Sequence, residues 1–64
     1  MTNFDAMTYR LTREILDAEA IAQDHWHNYR TYGDEGDRDY AEWAERKVRR
    51  LTLELELLQQ GETR

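Results

Sequence analysis

Two histidines, a five-residue run holding four cations, a knot of carboxylates and seven aromatic rings are the side chains of this 64-residue sequence that could do chemistry. The histidines stand in Asp24-His25-Trp26-His27 and invite a metal reading, since neutral imidazole is a common ligand. Their spacing opposes it. Residues two apart on a helix point roughly 200° away from each other, and chelation from one helix needs three or four. Asp24 with Asn28 does not supply the missing pair. His25 is therefore expected in a helix seam beside Tyr29 and His27 on the surface, with no metal site and no cofactor.

The basic run Arg46-Lys47-Val48-Arg49-Arg50 is the strongest nucleic-acid signal in the chain. It spreads over more than half of a helix circumference, and acids flank it. Glu42 with Arg46, Glu45 with Arg49, and Arg50 with Glu54 are spaced as i,i+4 ion pairs, which predicts a solvated, self-paired face. Arg46, Arg49 and Arg50 remain the candidate phosphate contacts should RNA or DNA bind. Lys47 falls within an apolar stripe between Trp43 and Leu51, where its stem can lie along the seam while the ammonium reaches water or Glu14.

Asp34, Glu35, Asp37 and Asp39 cluster as calcium ligands do, but they lack EF-hand spacing and its bidentate acid, so they read as a turn and a helix start. Serine and cysteine are absent, and no Gly-rich phosphate loop occurs. A two-helix chain is also expected to offer no pocket of the size that small-molecule sites occupy. The expectation is a protein without enzymatic activity.

The elements that would position these groups are two helices. Proline is absent, and the glycines are Gly33, Gly36 and Gly61 only. A helix over about 3–32, capped at Thr2 or Asn3 and stopped by Gly33, leads through a turn at 33–36 to a helix over about 37–60, capped by Asp37 and ended by Gly61. A connection that short joins antiparallel neighbours, so the fold class is all-α, a single helical hairpin over 1–64.

Helical spacing puts Phe4, Met7, Leu11, Ile15, Ala18, Ala22, His25 or Trp26, Tyr29 and Tyr32 on one stripe. The other stripe holds Tyr40, Trp43, Ala44, Val48, Leu51, Leu55 and Leu58. Folded together, five of the seven aromatics (Trp26, Tyr29, Tyr32, Tyr40 and Trp43) gather at the loop end, as core filling or as an exposed hot spot.

Length and charge bound the rest. A domain of this size buries a small share of its surface, and without cysteines no disulfide can staple it. Tyr9, Leu16 and Ala20 on the first helix, and Leu53 and Leu57 on the second, fall outside the stripes and form the expected interface for self-association or a partner. A homodimer closing a four-helix bundle is the leading arrangement, with another protein as the next occupant.

The formal net charge of −5 opposes general attraction to nucleic acid or anionic membranes, and no apolar run approaches a membrane span. The first residues, MTNFDAMTYR, lack the pattern of a secretory signal, which suggests a cytoplasmic protein. These features point to an acidic protein–protein interaction module, a regulator or inhibitor of the kind phages and plasmids encode. Two alternatives stand beside it. One is an RNA-binding hairpin dimer of the plasmid copy-number type, which shares the architecture alone. The other is a nucleic-acid mimic, weakened by the dispersed arginines.

Overall fold

A computed structural model describes the backbone of residues 3–62 and the side chains of residues 5–61. Helix α1 (Asn3–Tyr32) and helix α2 (Glu35–Glu62) pack along their length as an antiparallel hairpin. The expected cap at Thr2 or Asn3 and the expected seam position of Phe4 lie outside the described side chains.

The reversal takes two residues, not the four expected at 33–36. Gly33 adopts φ +72°, and its N–H donates to the Tyr29 carbonyl at 2.7 Å, closing α1 with a left-handed C-cap. Asp34 follows at once as the cap of α2. Its Oδ1 accepts from the Gly36 N–H at 2.8 Å, and its carbonyl accepts from the Asp37 N–H at 3.1 Å. The cap is thus Asp34 rather than Asp37. With Asp34 in that role, Glu35 and Asp37 both lie in the first turn, where their charges suit the positive end of the helix dipole. Gly61 does not end α2, which continues to Glu62.

The seam is built mostly from small residues. Leu11, Ala18, Ala22, Ala41, Ala44 and Leu51 are buried, with Ala41 and Ala44 fully so. Ala41 was not among the expected seam residues, nor were the half-buried Thr8 and Ile21. Ile15, His25, Trp26, Tyr29, Val48, Leu55 and Leu58 are half-buried beside that seam. Four expected core residues are exposed instead: Met7, Tyr32, Tyr40 and Trp43. Tyr40 and Trp43 each stand about 100° around α2 from the buried Ala41 and Ala44, which places their rings beside the seam and not in it.

The hairpin is long and thin. Its extents are 48 × 18 × 12 Å and its radius of gyration is 14.7 Å, against about 10.7 Å for a compact chain of this length. Its accessible surface is 5045 Å², where a compact protein of this mass shows about 4,400 Å².

The turn gives a contrast between glycines. Gly33→Ala forces a side chain into the left-handed region and should cost about 1–2 kcal/mol. Gly61→Ala, in a helix with open space around it, should be neutral or stabilise by up to about 1 kcal/mol. Urea midpoints measure both, and equal effects at the two positions would contradict this description of the turn.

Candidate protein interface

The polar groups nearest the turn tie the helices together. His25 Nδ1 on α1 lies 2.7 Å from Asp37 Oδ1 on α2, with both side chains partly shielded. A carboxylate only accepts, so Nδ1 carries the hydrogen of this bond. The face of the imidazole is used as well: Tyr40 stacks on it at 4.4 Å between centroids and 30° between planes. The contact runs on along α2. Tyr40 meets Trp43 edge-on at 5.3 Å, and Lys47 Nζ sits 5.5 Å from the Trp43 ring centre. Lys47 therefore lies over an aromatic face and does not pair with Glu14, the expected partner; the ring attracts the ammonium while leaving it hydrated.

This row occupies one flank of the hairpin. Trp26, with Tyr29 against it at 5.9 Å, belongs to the other, where Glu19, Ala22, Gln23, Glu45, Val48 and Arg49 share a trough with it. The expected single aromatic cluster is thus divided: Trp26 and Tyr29 on one side, Tyr40 and Trp43 on the other. Tyr32, 79% exposed, joins no ring contact.

Each flank carries a depression. The trough beside Trp26 has a volume of about 580 Å³ and is continued by one of about 270 Å³ along Val48, Arg49, Thr52 and Leu53. Opposite, Gly36, Asp39, Tyr40 and Trp43 border about 380 Å³ with almost entirely apolar walls. These volumes reach the range of small-molecule sites, which sequence reasoning did not anticipate, but all three lie open along the surface instead of enclosing a ligand.

The five residues expected at an interface are all exposed, on two opposite edges. Leu16 and Ala20 stand about 200° around α1 from the buried Ala18, and Tyr9 stands as far from the buried Leu11. Leu53 stands about 200° around α2 from the buried Leu51, with Leu57 one turn further on. Tyr9, Leu16 and Ala20 therefore form the outer edge of α1, and Leu53 and Leu57 that of α2.

The basic run does not pair with itself. Among the described residues Arg46, Arg49 and Arg50 make no ion pair, and the expected i,i+4 partners Glu42, Glu45 and Glu54 do not close on them. Exposed pairs of this kind gain so little that side-chain entropy can hold them open. The charge network belongs to Arg38 instead. Its Nη2 lies 2.9 Å from Glu35 and 3.8 Å from Asp39, and its Nε lies 4.0 Å from Glu42. The Glu35 carboxylate, first among these, holds the Arg38 guanidinium above its ordinary pKa against a weaker opposing effect of burial. Two further acids at the turn, Asp34 and Asp37, are occupied by the cap and by His25. Among the described residues no group of three or more histidines and acids is arranged to hold a metal ion, and no helix is long and apolar enough to cross a membrane.

The His25–Asp37 link should be measurable as a coupling. His25→Ala and Asp37→Ala are each expected to destabilise the hairpin, and a double-mutant cycle should return about 0.5–1.5 kcal/mol between them. Strictly additive effects would mean that the bond contributes nothing. Compared with family models, with curated proteins and with solved structures, the chain matches none.

Proposed function

We propose that this chain is a protein–protein interaction module, a helical hairpin that acts by laying its surplus apolar surface against the helices of another chain and so regulates or inhibits its partner. One observation carries the reading. Among the described residues eight large apolar side chains, from Met7 to Leu57, are 43–79% exposed. Scattered apolar residues are ordinary on any surface, but here they recur at helical spacing along one flank and both edges of a thin body. Tyr and Trp among them are the types that anchor interfaces.

Leu53 and Leu57 are the first pair to test against a foreign partner, because they lie one turn apart and beside the depression lined by Val48 and Thr52. Replacing both with glutamate should leave helicity intact and abolish retention of that partner on the immobilised chain. Retention that is unchanged would remove this edge from the account.

A second reading has its own support. The guanidinium groups of Arg46, Arg49 and Arg50, which pair with no acid among the described residues, are available to phosphates, as an RNA-binding hairpin requires. The acidic balance of the chain opposes it. Electrophoretic retardation of RNA that weakens steeply with salt, and is lost in Arg46→Ala plus Arg49→Ala, would favour RNA. No retardation at physiological salt would leave the protein-binding reading alone.

A further inference from the structure

We infer that the flank carrying Tyr40, Trp43 and Lys47 is the docking face for a second copy of this chain, each copy laying its α1 along the partner's α2 to close an antiparallel four-helix bundle. This deepens the interaction reading above and rests on it, naming both the face and the occupant.

Both helices contribute to this flank. On α1, Met7, Glu14, Ile21 and Asn28 follow each other at seven-residue steps, which on a helix drift by only about 20° each. On α2 the corresponding row is Tyr40, Lys47 and Glu54, bordered by Trp43, Arg50 and Leu57. Met7, Tyr40 and Trp43 are nearly half exposed, Ile21 and Leu58 are half-buried, and the depression at Gly36, Tyr40 and Trp43 can receive a side chain from above. Beside the seam rows, Met7 and Ile21 on α1 and Tyr40, Trp43 and Leu58 on α2 widen the apolar face, with charged residues interleaved between them.

Charge complementarity identifies the occupant. His25 stacks on Tyr40, and equal steps outward from that contact bring Ile21 level with Trp43, and Met7 level with Leu58, to within a residue. In the same register Asp17, Glu14 and Arg10 on α1 stand level with Lys47, Arg50 and Glu54 on α2. Read along the flank, two negatives and a positive face two positives and a negative. A two-fold axis parallel to the helices sets α1 against the partner's α2 in this same register, so each charge meets its opposite and Ile21 meets the partner's Trp43. Among the described residues Arg10, Glu14, Arg50 and Glu54 make no ion pair, and Asp17 makes only an exposed contact with Arg13 at 3.9 Å. The pattern is self-complementary, as an isologous interface must be.

The size permits it. Extents of 48 and 18 Å bound the broad face at about 860 Å² in outline, room enough for the roughly 800 Å² of accessible surface that each partner contributes to a standard stable interface. The edges offer less. Tyr9, Leu16 and Ala20 lie on one and Leu53 and Leu57 on the other, so a two-fold contact buries only one of the two sets, and a contact joining unlike edges forms a ring or an open fibre instead of a closed dimer.

Sedimentation equilibrium of the full chain tests this, with helicity followed at 222 nm. The expected mass is twice 7.8 kDa. Trp43→Glu and Met7→Glu should each weaken the dimer about tenfold or more while helicity persists. Glu14→Arg and Arg50→Glu should each weaken it as well, and mixing those two variants should restore a dimer, since only the mixed pair sets opposite charges across both contacts. A folded monomer of 7.8 kDa at the highest concentration reached would overturn the self-docking proposal while leaving the interaction reading to a foreign partner. A dimer indifferent to Trp43→Glu and Met7→Glu but dissolved by Leu53→Glu would overturn the choice of face.

Discussion

Four alanines set the distance between the two helices, and the rest of the molecule follows from that closeness. Ala18 and Ala22 on α1 meet the side of α2 that carries Ala41 and Ala44, all four buried, with leucine added only at Leu11 and Leu51. A seam this narrow excludes water well along one line but removes little apolar area, and the hydrophobic contribution scales with area. Every large side chain beyond the seam is left at its margin or outside it. The excess of surface over that of a compact protein is therefore a consequence of the seam, and so is the need for something to cover the flanks.

The same closeness organises the polar end of the hairpin. With the helices held together near the loop, an imidazole on α1 can reach a first-turn carboxylate on α2 while its ring face receives Tyr40. That single residue fixes the relative height of the two helices. A one-residue slip would separate His25 from both partners, and the charge rows along the flank are matched only in the register this contact sets. A two-residue turn adds to the constraint, since Gly33 closes one helix and Asp34 opens the next with no slack between them.

Much of this was legible in the residues. Absence of proline, three glycines and two long apolar periods define a hairpin, and Gly33 marks the end of the first helix. The cap was misplaced because Gly-Asp-Glu-Gly-Asp offers two aspartates with the same capping chemistry; only the backbone shows that the left-handed glycine is followed directly by the cap. The seam was misjudged for a related reason. Apolar periodicity ranks large residues as core, so Tyr40 and Trp43 were expected inside and Ala41 was overlooked, although a small residue is what close approach selects. The open arginines were not legible at all: spacing permits an i,i+4 pair but does not decide whether two long, hydrated side chains spend their time together.

The outer residues singled out from the sequence are exposed as expected of an interface, yet they divide between two edges that no single two-fold contact can unite. Shape and charge point instead to the flank that both helices build. If a second copy completes the hairpin as proposed, folding and association are coupled. Thermal unfolding of the purified chain, followed at 222 nm over about a hundredfold range of concentration, tests it most directly, because association stabilises only the folded form. The account predicts a midpoint that rises steadily with concentration. A midpoint that stays constant across the range, with full helicity at the lowest concentration, would contradict it.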